Sequence, residues 1–290
     1  MHEAHHLHPP HRTVAQPQSH AGMREALAAR GLFGIGVPPH MGGGGGQLSD
    51  AIHAVADAAR SCTAQALVLA SQRLLVQALV RSQNIGAAEY QLPRLLDGDI
   101  GGNCAASWPQ AGEVAPARAR DTGRGWLMSG DFPALPNLQR DWFVVSVPVL
   151  FEGAARFSLV LLRAEESGIA QRHAAVQDHP AEAGVALQLQ NVFLREDEII
   201  AEDGPAAVAH LVPFASGMQA AILAGQCHSA VARSPHLVGV QAVIEDLLAS
   251  AIQAAMRGSH DAAPLAELRR MWAALSSATG AVPCQAPLPQ

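Results

Sequence analysis

Apolar positions recur along this chain with a helical period at both ends and a strand-like period in the middle. The first helical stretch covers residues 23–30. After Gly31–Pro38 and the glycine run 42–46, two more helices are predicted over 51–60 and about 64–82. Ser49 or Asp50 is placed to cap the first of these, and Leu67, Ala70, Leu74, Leu75 and Ala78 form the inner face of the second. Leu92-Pro93 ends the helical run. From 96 to 147 the pattern shortens, and Gly101-Gly102, 105–112, 126–130 and 141–147 read as strands between turn residues. Residues 156–163 and 184–194 continue the strands, with Ser167-Gly168-Ile169 as a turn.

Beyond 214 the helical period returns. Residues 214–233 are rich in Ala, Gly and Ser, and Gly217, Ala221 and Gly225 are spaced by four, which leaves one side smooth enough for close packing. Helices over 241–256 and 265–277 follow, the last preceded by Asp261 as a cap and Pro264 near its first turn. The predicted organisation is a His-rich tail (1–22), an N-terminal helical domain (23–97), a central β domain (98–204), a shortened C-terminal helical bundle (205–280) and a frayed end (281–290). The fold class is α+β, with two packed sheets, sandwich- or barrel-like, between helical domains.

Composition narrows the chemistry. A net charge of −6 leaves no electrostatic footprint for nucleic acid. All nineteen basic residues are Arg, and the lack of Lys excludes a Walker-type phosphate loop and a Schiff-base enzyme. For the same reason the run 42–46 is read as a flexible loop and not as a phosphate cradle. Cys62, Cys104, Cys227 and Cys284 show no Cys-x-x-Cys spacing, which points to reduced thiols in a cytoplasmic protein. No apolar run suggests a membrane span, and no signal-peptide pattern opens the chain. Six of the fourteen His lie in the first twenty residues, in a composition too polar to fold by itself; their spacing matches no defined metal-ligand set.

The middle of the chain resembles the acyl-CoA dehydrogenase superfamily. Its Leu-Pro…Gly-(Asp/Glu) hinge is matched by Leu92-Pro93 with Gly98-Asp99, and its Ala-x-Thr-Glu-Pro-x-Ala-Gly-Ser strand by residues 105–113. The glycine run follows the family's Leu-x-Val-Pro-x-x-x-Gly-Gly-x-Gly segment. The resemblance implies FAD at the junction of the β domain and the C-terminal helices, held by Ala105, Ala106, Ser107 (a hydroxyl in place of the family's Thr) and Gly112, with Glu113 near the substrate thioester. It also implies cofactor contacts from Leu135, Asn137 and Gln241. At the family's flavin-facing Trp-Ile-Thr-Asn, however, this chain carries Ala134-Leu135-Pro136-Asn137.

The family's catalytic base is a carboxylate that takes the α-proton of an acyl-CoA while the flavin accepts hydride. No Asp or Glu stands in 214–233, where some members place it; His228 is the weak substitute. Three readings follow from the resemblance: an FAD-dependent oxidoreductase acting on the CH–CH group of an acyl-thioester with a degraded or partner-completed site, a flavin-dependent monooxygenase of the same superfamily, and a non-catalytic scaffold. A homo- or hetero-oligomer is expected in each.

Overall fold

A computed structural model of the chain describes residues 20–104, 117–135, 137–138, 142–176, 179–234, 237, 239–259 and 261–279. Four helices come first: α1 (His20–Ala29), α2 (Leu48–Ser61), α3 (Thr63–Val80) and α4 (Ile85–Leu96). α2 begins earlier than expected. Its N-cap is Gln47, and Asp50, three residues in, reaches back to accept the Gln47 N–H at 2.8 Å. α4 is not among the helices that the apolar period predicts, and it runs through Leu92-Pro93, where the helical run is expected to end. Pro93 instead sits in the last turn of a helix that Asn84 starts by accepting the Ala87 N–H. The glycine run is not a free loop. Gly44 and Gly45 donate to the Gly34 and Val37 carbonyls, and Gly36 donates to Gly45. A side chain on Gly43 would collide with Val37, so Gly is required there.

Eight strands follow: β1 (Gly101–Asn103), β2 (Ala117–Asp121), β3 (Trp126–Leu135), β4 (Val144–Phe151), β5 (Ser158–Arg163), β6 (Ile169–Val176), β7 (His179–Leu194) and β8 (Ile199–Ala201). They form one hydrogen-bonded sheet in the order β6-β7-β3-β2-β4-β5-β8, with β1 beside β4, where two separate sheets were expected. Residues of β2, β3, β4, β5 and β7 nevertheless share one core, including Met128, Phe132, Val145, Val147, Val160, Leu162, Leu187 and Val192, so the sheet curls around it. The alternate residues Val144, Leu159 and Leu161 pack outward on α3 and α4, with Leu75, Leu79, Leu92 and Leu95. Burial on both faces explains why β4 and β5 read as nearly continuous apolar runs.

Three helices complete the described fold: α5 (Gly204–Ala232), α6 (Val240–Met256) and α7 (Ala263–Thr279). α5 starts ten residues before the expected boundary because Pro213 lies inside it; Asp203 caps it, with its Oδ1 accepting the Ala206 N–H at 3.1 Å. The smooth face packs closely, as anticipated, and the helix it packs on is α2. A Cβ on Gly225 would stand 2.5 Å from the Ala56 carbonyl oxygen, and one on Gly217 would stand 2.8 Å from the Ile52 Cδ1. Contrary to the expectation that no apolar run suggests a span, α3 and α5 are long and apolar enough to cross a membrane by length and composition, yet both are mostly buried inside the fold.

Candidate functional site

The helical and β domains meet at Gln72, which is 2% exposed on α3. Its Nε2 donates to the carbonyls of Leu95 (2.9 Å) and Asp99 (2.5 Å), and its Oε1 accepts the Gly101 N–H at 2.8 Å. Asn137, just past the end of β3, donates from Nδ2 to Gln72 Oε1 (3.4 Å) and to the Gly101 carbonyl. One amide thus joins the middle of a buried helix to the hinge, to β1 and to the end of β3. Beside it, Arg73 is fully buried, with one hydrogen bond, from Nη1 to the Phe33 carbonyl at 2.9 Å. Burial brings its pKa down to about 10. Neither Gln72 nor Arg73 was singled out in the sequence; the signal was a Gln-Arg pair in the middle of an apolar helical run.

The segment that carries the resemblance enters and leaves on one edge of β4. Asn103 pairs with Ser146, Cys104 N–H donates to the Ser146 carbonyl at 2.8 Å, and Ala117 pairs with Val149. Pro148 falls in the gap between these partners and faces the same edge as Ser146. Its missing N–H ends the β1 ladder without breaking another bond. Ala105, Ala106, Ser107, Gly112 and Glu113 lie outside the described residues, and Cys104, whose thiol burial pushes far up, is the last described residue before them.

The other predicted positions are placed. Leu135 ends β3 with no exposure, inside the β core with Leu138 and Trp142, and Ala134 is buried beside it. Asn137 is 1% exposed, and both described bonds of its Nδ2 run to Gln72 and Gly101. Leu135 and Asn137 are therefore brought together, as interior residues at the domain junction. Gln241 is partly exposed in the first turn of α6, a helix packed on α2, α5 and α7. His228 is 9% exposed on α5, and its Nε2 is buried without a hydrogen-bond partner. Desolvation and Arg60 on α2 hold its pKa below the ordinary value against the pull of Glu245 on α6, so the imidazole is neutral. On the same helix the Cys227 thiol is pushed up to about 12 by burial. No described cluster of three His, Cys, Asp or Glu could hold a metal ion.

An N-terminal helical domain, a central mixed sheet and C-terminal helices in this order define the acyl-CoA dehydrogenase fold. Residues 4–99 match the model of the acyl-CoA dehydrogenase N-terminal domain, and solved acyl-CoA dehydrogenase structures share the fold through most of the remainder. The structure of butyryl-CoA dehydrogenase from Megasphaera elsdenii superposes with a TM-score of 0.70 at 15% identity, covering 88% of this chain and 76% of that one. The ChsE4–ChsE5 complex from Mycobacterium tuberculosis gives 0.67 at 16%, covering 93% and 79%. PigA with FAD and proline gives 0.72 at 16%, covering 90% and 77%. No curated protein matches the sequence.

The similar structure of PigA is described with FAD, so the described residues can be tested against a flavin. Leu135 does not fit, because it is a core side chain; Asn137 has its Nδ2 taken by Gly101 and Gln72, while its buried Oδ1 has no partner among the described residues. A side chain nine-tenths buried at a domain seam holds the seam; it offers no donor to a bound ring.

Proposed function

We propose that this chain is a subunit of an acyl-CoA dehydrogenase-like, FAD-dependent oxidoreductase acting on an acyl-thioester, with its site completed by a second, different chain. The supporting observation is the pairing of an extensive family scaffold with a 29-residue α5 that carries no Asp or Glu. Some family members place their base on this helix, and the titratable side chains of α5 are His210, which is exposed, Cys227 and the buried His228. Assembly from non-identical chains has precedent in this fold in the ChsE4–ChsE5 complex. In this reading the partner supplies the proton acceptor, and this chain supplies the hinge, the sheet and the segment through Ser107.

A scaffold without cofactor is the second reading, favoured by the structural use of Leu135 and Asn137. Visible absorption separates the two. The full chain is incubated with excess FAD and desalted, alone and in the assembly in which it co-purifies. Flavin bands in either sample, weakened by Ser107→Ala, support the oxidoreductase. A colourless protein in both samples leaves the scaffold.

A further inference from the structure

The sheet ends on one side at β6, which pairs with β7 and with no other described strand. One position before β6 the Gln190 N–H donates to the Gly168 carbonyl at 2.9 Å, in the register that then runs from Ile169↔Leu189 to Ala175↔Ala183. Antiparallel pairs alternate between bonded and unbonded, so Ala170, Arg172 and Ala174 direct their backbone groups at β7. The N–H and C=O groups of Ile169, Gln171, His173 and Ala175 therefore point away from the sheet along its open edge. Ala170, Gln171, Arg172, His173 and Ala175 are all exposed, so neither face of the strand is covered at its centre. Edges of sheets are blunted by proline, by lysine or by bulges. β6 has neither residue, and its irregularity falls at its end, between Ala175 and Val176.

Charge and topology say what fits this edge. Arg172 makes no ion pair or side-chain hydrogen bond among the described residues, and its neighbours on the same face, Ala170, Ala174, Gly184, Ala186 and Gln188, carry no charge. Past Leu135↔Val185, the last pair of β3 with β7, the strands β6 and β7 continue as a two-stranded ribbon, a form with little stability of its own. We propose that the outer edge of β6 accepts, as an added antiparallel strand, an extended segment of a different chain that carries a carboxylate opposite Arg172. Gln171 and His173 exchange backbone hydrogen bonds with the added strand, and Arg172 lies between them in an unbonded pair, where opposing side chains come closest. A second copy of β6 fits worse, because this strand contains no carboxylate to set against Arg172. None of the residues considered for the flavin lies on β6, so the edge is open to a partner whether or not a cofactor binds.

Fluorescence anisotropy of the full chain with fluorescein-labelled Thr-Val-Glu-Val-Thr-amide tests this, beside the same peptide with Lys for Glu and the same peptide N-methylated at both valines. Saturable binding of the acidic peptide is expected, about threefold weaker for the Lys peptide and lost on N-methylation, which removes the bridging N–H groups. Gln171→Pro deletes an outward N–H and no bond to β7, and should weaken binding about tenfold. Arg172→Glu should reverse the preference between the Glu and Lys peptides. If Gln171→Pro fails to fold, as judged by circular dichroism, the exposed Arg172→Glu change decides. Absence of saturable binding, equal binding of the N-methylated peptide, or a preference unchanged in Arg172→Glu overturns the proposal. So does dimerisation of the chain alone that Gln171→Pro abolishes, which would assign the edge to a second copy.

Discussion

Two interfaces of α-helices hold this fold together by opposite means. Where α5 crosses α2, the contact depends on missing side chains: Gly217 and Gly225 let backbone approach backbone, and Ala56 and Ala59 answer from the other helix. Where α3 meets the hinge, the contact depends on one polar side chain, Gln72, making bonds at both ends of its amide. The first is a problem of shape and tolerates no added volume. The second is a problem of hydrogen-bond satisfaction and tolerates no lost partner. Volume in a packed interior has nowhere to go, whereas a lost partner exposes a bounded penalty, so the two should break by different amounts.

Gly225→Val carries the largest expected effect. Its new atoms would overlap Ala59 and the Ala56 carbonyl, and because both lie on a helix backbone the overlap cannot be relieved by a rotamer change. A loss of about 3 kcal/mol or more, or failure to fold, is expected in chemical denaturation. A Gly225→Val protein with wild-type stability would show that α2 and α5 are not in contact. Gln72→Leu comes next: it fills the same space but leaves the buried Gly101 N–H unpaired, for about 2 kcal/mol. Coupling sharpens the point. In a double-mutant cycle Gln72→Leu and Asn137→Ala should be strongly non-additive, since both serve Gly101, while Gln72→Leu and Gly225→Ala should add.

The same contrast explains what the sequence disclosed. The spacing of Gly217, Ala221 and Gly225 is a pattern of size along one helix face, and a local period exposes it; that α2 is the helix it meets was visible only in three dimensions. Residues flanking prolines were harder to read. Pro93 suggested a boundary and the expected helix began at 214, just after Pro213, yet each proline is accommodated within a helix, because tertiary packing outweighs one missing hydrogen bond. The joining of the strands into one curled sheet was also out of reach, since the strand order depends on long-range pairing such as β3 with β7. For the candidate site the limit was chemical identity. Asn137 occupies a family motif position, and motif alone assigned it to the cofactor; its committed Nδ2 bonds, visible only in three dimensions, assign it to the seam.

The smallest expected effect lies inside the shape-dependent interface, at its one buried imidazole. His228 makes no hydrogen bond through Nε2, so at neutral pH His228→Leu removes no bond at that atom and should leave stability nearly unchanged. Acid should separate the two proteins. In the folded state protonation is opposed by desolvation and by Arg60, with Glu245 too weak to compensate, so the folded pKa lies below the ordinary imidazole value. The unfolded chain therefore takes up the proton first, and the wild type loses stability as pH falls from about 6.5 through the lower folded value. The leucine variant lacks that loss, while every other titrating group is common to both proteins and cancels in the difference. Thermal unfolding at pH 7.5 and 5.5 should show the variant gaining on the wild type as the pH drops. A difference that is constant with pH would mean that the imidazole reaches solvent, and that the bundle around α5 is looser than its glycine contacts imply.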